Sequence, residues 1–357
     1  MSKEVAMTGL LAGRYRAVFL VAAVLCTVTG IFRLFDKAKD PYDGYVTDGN
    51  NMVIRVDTGG PAEGAGLKVG DRIRSIDGIA VEDTRALSRQ PRPLIGQSTT
   101  LEIERGGADS SGAAPSSLNL SFAHGAPPGD FWARDLAGFL IGLCFLLCGM
   151  VACFKVPSRS GRILALAGLC FGAAFLGTPY FSSYSVRRLA QAIIGLALVL
   201  GFASLFHFML EFPKPTAFLG RKYARIAIYG PALFIASFLL FLVIVQPPAT
   251  GALNRLSNLL FGLFVVAYFG GAAAAMTHSF VKANPAERTH YGLRIELAGI
   301  LFGIIPITME VLFSVIMPSL LLPGSDFYYL TVGFIPIALV MAIFRQQRSA
   351  GPSTSEA

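Results

Sequence analysis

Residues 59–73 read GGPAEGAGLKVGDRI, and residues 76–78 read IDG. Two glycines and a proline open this stretch, and Asp77-Gly78 near its end is a strong signal for a tight turn. The stretch is polar and turn-rich in a chain that is otherwise strongly apolar. It therefore predicts one small folded unit outside the apolar part of the protein.

Alternating apolar and polar residues around this stretch predict the elements of that unit. A flexible loop rich in glycine, serine and alanine separates the last two strands. The predicted strands are 52–56, 71–76, 99–104 and 118–122, and the predicted short helices are 61–66 and 84–90.

Composition places the rest of the chain in a membrane. Of 357 residues, 54% are hydrophobic and 15% charged, whereas soluble domains carry roughly 25% charged residues. The net charge of +8 would suggest a nucleic-acid partner if the basic residues formed one face. They lie instead in short segments between apolar runs, so we expect a lipid bilayer and no nucleic acid as partner.

Eight apolar segments are long enough to cross a bilayer, which takes about 20 residues. No Ala-x-Ala cleavage site follows the first, so we expect an uncleaved anchor. The segments are about 15–35, 135–154, 163–181, 189–211, 226–246, 257–281, 295–317 and 327–344. The domain division is 1–35 for the N-terminus and first helix, 36–130 for the inserted domain, 131–345 for seven further helices, and 346–357 for a disordered cytoplasmic tail.

Lysines and arginines predict the orientation, because short cytoplasmic loops are enriched in both. Fifteen basic residues lie in one set of alternate segments, and three lie in the opposite short loops, namely Arg187, Arg188 and Arg255. The bias predicts that both termini are cytoplasmic and that the inserted domain lies on the other face, periplasmic or extracellular.

Residues 41–122 resemble a bacterial PDZ domain, through GGPA, AGL-x-x-GD-x-I and IDG. PDZ domains add a chain terminus as a strand to a sheet edge and hold its carboxylate with backbone N–H groups. The resemblance implies that Gly44, Tyr45 and Val46 bind a peptide C-terminus, with a side-chain pocket between Tyr45, Val46 and the helix bearing Leu87. The alternative is a domain that only packs on a partner or dimerises.

The membrane part resembles the N-terminal sensor module of bacterial histidine kinases of the competence-sensor type. The resemblance rests on HFMLEFPKP at 207–215, on glycines and a proline at 299–306, and on FIP at 334–336. It implies a multi-pass protein of the bacterial inner membrane. No kinase output segment follows residue 348, so we expect a separate cytoplasmic kinase or regulator as partner.

Ionisable residues inside apolar spans are costly and therefore indicate function or specific pairing. Glu310 lies in the middle of the seventh span, where it either senses a ligand or proton or bonds a neighbouring helix. His207 and Glu211 are four residues apart and share one helix face, which suggests a structural pair. Glu296, near the predicted cytoplasmic boundary, is explained by snorkelling or loop contacts.

No enzyme motif is present, so we expect no catalytic residues, metal or cofactor. The four histidines do not form the His-Glu-x-x-His pattern of zinc intramembrane proteases, and the five cysteines lie in apolar runs. A transporter is disfavoured because we find no inverted repeat or pair of broken helices. The fold class is a polytopic helical bundle of about eight helices with one α+β PDZ-like domain. The function expected is a membrane sensor, and the alternative is an adaptor that delivers PDZ-bound clients to a separate membrane protease or complex.

Overall fold

A computed structural model describes residues 3–106, 116–156, 158–247, 251–317 and 325–349. The first part of the chain runs α1 Lys3–Lys37, β1 Tyr45–Thr47, β2 Val53–Val56, α2 Pro61–Gly64, β3 Arg72–Ile76, β4 Ile79–Ala80, α3 Thr84–Arg89, β5 Ser98–Arg105 and β6 Ser116–Ala123. The rest is helical: α4 Gly129–Lys155, α5 Arg159–Leu176, α6 Tyr184–Glu211, α7 Ala224–Val245, α8 Ala252–Lys282, α9 Pro285–His290, α10 Leu293–Ile316 and α11 Phe334–Ser349.

Seven described helices are long and apolar enough to cross a membrane: α1, α4, α5, α6, α7, α8 and α10. Helices satisfy their own backbone hydrogen bonds, which is what a lipid environment demands. The eighth predicted segment, 327–344, differs from the expectation. Its first part forms a 3-10 helix, Ser325–Gly333, and only the remainder continues as α11, so its apolar helix is shorter than the other seven.

Small residues bring the helices of the bundle close together, since a glycine leaves room for a neighbouring backbone. Along the contact between α4 and α5, a Cβ on Gly168 would lie 2.6 Å from the Phe145 carbonyl oxygen and 2.7 Å from Gly149 Cα. Between α10 and α11, a Cβ on Gly299 would lie 2.3 Å from Ala338 Cβ. These helix pairs therefore depend on the absence of a side chain.

The inserted domain, residues 42–125, lies in the chain between α1 and α4 and contains two small sheets. β1 pairs antiparallel with β2, and a four-stranded antiparallel sheet has the order β4-β3-β5-β6. The predicted strands and short helices are present, with bounds shifted by at most a few residues. Most of the predicted loop between the last two strands falls on residues 107–115, outside the described residues.

The inserted domain has its own hydrophobic core, separate from that of the bundle. Its fully buried side chains come from both sheets and from the segments around α2, namely Val53, Ala62, Leu67, Ile73, Val81, Leu101, Ile103 and Phe122. Burial of such side chains contributes about 1.5–3 kcal/mol each. The domain therefore folds around apolar contacts of its own.

One ion pair explains the Gly-Asp-x-Ile part of the signature. The Asp71 side chain is 2% exposed and accepts hydrogen bonds from Arg105 Nε at 2.7 Å and from Lys68 N–H at 2.8 Å. The same hydrogen-bonded pair raises the pKa of Arg105. Asp71 thus joins the turn before β3 to the end of β5.

We expect Gly168→Ala to destabilise the bundle by about 1–3 kcal/mol, because the new methyl group meets backbone atoms that cannot rotate away. Thermal unfolding of the detergent-solubilised protein, followed by size-exclusion chromatography, measures the change. Gly195→Ala is the matched control, since a Cβ there meets no atom within 4 Å. Equal midpoints for the two variants would contradict the proposed role of Gly168.

We expect Asp71→Asn to lower the stability of the inserted domain by about 2–4 kcal/mol, because it leaves the Arg105 guanidinium without its buried counter-charge. Pulse proteolysis of the whole protein in urea reports the unfolding midpoint of this domain. Glu104→Gln removes a half-exposed ion pair to Arg74 in the same sheet, and we expect a smaller shift. A larger shift for Glu104→Gln would contradict the importance assigned to burial.

Candidate functional site: a groove between the inserted domain and the bundle

The loop before β1 requires a glycine and is held by backbone hydrogen bonds. Gly44 adopts φ +76°, and a Cβ there would lie 3.0 Å from Gly60 Cα, so only glycine suits the position. The Asp43 and Gly44 carbonyls accept hydrogen bonds from Ala62 and Asp57 N–H groups. Gly44 is buried, and within the described ranges its N–H donates to no protein acceptor.

β1 offers an edge to which a peptide strand could be added. It pairs with β2 on one side, and no other described strand pairs with it. Tyr45 on β1 packs against the domain core; burial and, second, the Asp43 carboxylate raise the pKa of its phenol. Alternation along a strand directs Val46 to the opposite side of β1 from Tyr45.

A cavity of about 840 Å³ separates β1 from α3. Its apolar lining comes from five side chains of the inserted domain, namely Tyr45, Ile76, Ile79, Leu87 and Leu101. The structure thus brings Tyr45 and Leu87 together as predicted residues of one pocket. Asp43 of the preceding loop also lines the cavity, whereas Gly44 and Val46 are not part of the lining.

The other wall of the cavity belongs to the helix bundle, which the sequence does not predict. The residues there come from the α5–α6 connection, the start of α6 and the end of α7, namely Tyr180, Tyr184, Arg187, Arg188, Gln191 and Gln246. In the sequence, Arg187 and Arg188 bear only on orientation, as charges of an outer loop. Their one sequence signal is that two adjacent arginines stand in loops otherwise poor in basic residues.

α3 is hydrogen-bonded to the bundle, partly through side chains that also line the groove. Thr84 Oγ1 donates to the Pro247 carbonyl at 2.9 Å, and Gln246 Nε2 donates to Ser88 Oγ at 3.0 Å. Arg187 Nη2 donates to the Ser88 carbonyl at 2.5 Å. The helix that carries Leu87 is therefore hydrogen-bonded to the ends of α6 and α7.

The segment after α3 ties the groove to α1. Arg92 donates to the Asp36 carboxylate at 2.9 Å and also pairs with Asp40. Asp36 in turn accepts a hydrogen bond from Tyr180 N–H at 2.8 Å. One network of charges thus connects α1, the inserted domain and the α5–α6 connection.

His207 and Glu211 lie buried in the bundle and do not form a simple pair. Their Nε2 and Oε2 atoms are 4.0 Å apart. His207 Nδ1 lies 3.0 Å from the Tyr229 hydroxyl, and Arg159 lies 3.8 Å from the Glu211 carboxylate. These residues form a polar cluster that joins α5, α6 and α7, which supports a structural role.

Glu296, rather than Glu310, is the more deeply buried acid of α10. Glu296 is fully buried, and within the described ranges neither of its carboxylate oxygens has a hydrogen-bond partner. The prediction that Glu296 snorkels or contacts a loop is therefore wrong. Glu310 is only partly buried. The sequence placed Glu296 near a helix end, where an acid is usually solvated, and could not show that other helices cover it.

The described residues contain no group of three histidine, cysteine or acidic side chains that could hold a metal ion. The free thiols of the described chain lie in helices α1, α4 and α5. The candidate site therefore consists of a backbone loop, a strand edge, an apolar cavity and a basic wall. Such a site can bind an extended chain and its terminal carboxylate.

Comparison with known families matches residues 52–105 to the PDZ domain. The match runs from the residue before β2 to the end of β5, so it includes Leu87 and leaves out the Gly44 loop and β1. No solved structure matches the chain. The protein is thus a polytopic helical membrane protein with a PDZ domain inserted between its first two membrane-length helices.

Proposed function

We propose that the protein is an integral membrane sensor of the bacterial inner membrane. Its PDZ domain, on the periplasmic or extracellular face, binds the C-terminus of a peptide or protein. The bundle relays this event to a separate cytoplasmic partner, a kinase or regulator. The observation that carries the proposal is the position of α3, between the groove and the ends of α6 and α7.

Binding is supported by the arrangement around β1. An extended peptide added to this edge would place its carboxylate at the Gly44 loop, where the N–H of Gly44 has no acceptor within the described ranges. Its last side chain would reach the apolar lining that includes Tyr45 and Leu87. The cavity volume of about 840 Å³ suits several residues of a peptide.

Relay is supported by the contacts of the groove helix. A peptide that packs on Leu87 would either displace α3 or hold it in place. α3 is also hydrogen-bonded to α6 and to the residue after α7. α6 ends in the buried cluster of His207, Glu211 and Arg159. The proposed signal is therefore a shift of α6 and α7 relative to the helices around them.

The opposite end of the bundle offers a surface for the cytoplasmic partner. The basic loops 214–225 and 282–294 meet there, because Lys214 Nζ bonds the Glu287 carboxylate at 2.5 Å. This bond lowers the pKa of Glu287 and raises that of Lys214. A cleft of about 500 Å³ between the loops is lined by Lys214, Phe218, His278, Lys282 and Tyr291 among others.

We expect peptides with a free C-terminal carboxylate and an apolar last residue to bind the whole protein at least about tenfold more tightly than their amidated forms. A charge-assisted hydrogen bond to backbone N–H groups is worth about 1.5–3 kcal/mol. Fluorescence anisotropy with a panel of labelled peptides and detergent-solubilised protein measures this. Equal affinities for the two forms would remove the PDZ-ligand part of the proposal and favour a packing or dimerisation domain.

We expect the double variant Thr84→Val, Arg85→Ala to keep peptide binding and lose the relay, because both changes remove hydrogen bonds from α3 to the end of α7 at residues outside the cavity lining. Hydrogen exchange of segments 184–190 and 240–247, with and without peptide, reports the relay. Asn50→Ala is the control, since it removes a PDZ–bundle contact to Arg255 away from the groove. Unchanged peptide-induced protection in the double variant would contradict the role of α3.

The same measurement separates the sensor from an adaptor. An adaptor needs the peptide groove but no response in α6 and α7. Free-carboxylate binding without any change in exchange of these helices in the wild-type protein would favour the adaptor.

A further inference from the structure

The wall that the bundle contributes to the PDZ groove carries positive charge. Arg187 and Arg188 lie in the first turn of α6 and line the same cavity as Tyr45 and Leu87. Both come from outside the inserted domain. Any ligand that fills the cavity therefore meets two guanidinium groups that an isolated PDZ domain would lack.

The charges of these two arginines are not neutralised by the described residues. Arg187 donates to the Tyr180 hydroxyl and to the Ser88 carbonyl, each at 2.5 Å. Arg188 donates to the Tyr184 hydroxyl at 3.0 Å. All of these acceptors are neutral.

The other charged groups of the cavity are already engaged. Arg92 pairs with Asp36 and Asp40, and His124 pairs with Asp43. Asp77 accepts hydrogen bonds from the Thr99 hydroxyl at 3.0 Å and from Thr100 N–H at 2.7 Å. Positive charge without an acidic partner among the described residues thus lies at the bundle wall, and the inserted domain contributes one acid, Asp77, bonded only to neutral donors.

One nitrogen of the Arg188 guanidinium lacks a hydrogen-bond acceptor among the described residues. This nitrogen is Nη2, and it is buried. A buried donor of a charged group without an acceptor costs free energy, so a ligand that supplies an acceptor when the guanidinium turns toward the cavity gains affinity. The planar guanidinium fork matches a carboxylate in particular.

We propose that Arg188 is a specificity-determining residue of the groove and that the preferred ligand is a peptide with an acidic side chain just before its C-terminal residue. The inference rests on the proposed PDZ function and extends it to the class of ligand. In a strand added to β1, successive side chains point to opposite sides. The last side chain then points toward α3, and the one before it points toward the bundle wall. The terminal carboxylate occupies the Gly44 loop, and the acidic side chain reaches Arg188.

The test uses the whole protein in nanodiscs of zwitterionic lipid. The labelled free-acid peptides form pairs that carry either Glu or Gln just before an apolar C-terminal residue. We expect wild-type protein to prefer a Glu peptide by about tenfold, an effect that shrinks as salt rises. Arg188→Gln abolishes the preference by weakening the Glu peptide alone. Arg188→Glu reverses it in favour of a Lys peptide.

Arg255→Gln is the matched control, because Arg255 also lies at the PDZ–bundle boundary, bonded to Asn50 and outside the cavity lining. It should leave the Glu preference intact. Equal affinity of wild-type protein for Glu and Gln peptides, with carboxylate-dependent binding retained, would overturn the role of Arg188 and spare the proposed function. An equal decrease in affinity for the Glu and Gln peptides in a folded Arg188→Gln variant would also overturn it. Loss of discrimination between free-acid and amidated peptides would instead overturn the proposed function itself.

Discussion

Helix α3 contacts the PDZ core, the groove and the ends of α6 and α7. It has only six residues, so a displacement at Leu87 cannot be absorbed along its length. Thr84 and Ser88, one turn apart, both hydrogen-bond across the boundary between domain and bundle. In the proposed function, α3 would couple occupancy of the groove to the positions of α6 and α7.

Charged side chains of both parts also connect the inserted domain to the bundle, outside the membrane-spanning segments. Arg92 joins α1 to the groove, and Arg187 joins α6 to α3. Aromatic rings support these contacts, since the guanidinium of Arg187 lies 4.9 Å from the centroid of Tyr180. Such stacked and hydrogen-bonded arginines hold the two parts in one orientation while leaving the groove open to a peptide.

Deep in the bundle, polar groups are arranged in two different ways. His207, Glu211, Arg159 and Tyr229 gather into one cluster that connects three helices. Glu296 lies apart from it, fully buried and without a hydrogen bond from the described residues. An acid in such surroundings is stable only in its neutral form or beside a counter-charge, which makes Glu296 a better target for mutagenesis than Glu310.

The elements of the PDZ domain could be predicted from residues 52–122, because turn glycines, Asp77-Gly78 and alternating strands act over a few residues. The membrane helices could be predicted for the same reason, since length and apolarity are local properties. The last apolar segment was the exception. Its division into a 3-10 helix and α11 is not visible in hydropathy alone.

The amino-acid sequence by itself determined that a PDZ domain is inserted into an apolar helical chain. The resemblance to PDZ domains predicted a pocket between Tyr45, Val46 and Leu87, of which Tyr45 and Leu87 line the cavity. Only the tertiary structure decided that Arg187 and Arg188 complete this pocket, that α3 binds the bundle and that Glu296 is buried. The hydrogen bonds of α3 with Arg187 and Pro247 join residues 99 and 163 positions apart in the chain, and Glu296 is covered by helices that flank α10. No local pattern specifies such contacts, because they follow from how the domain and the helices pack against each other.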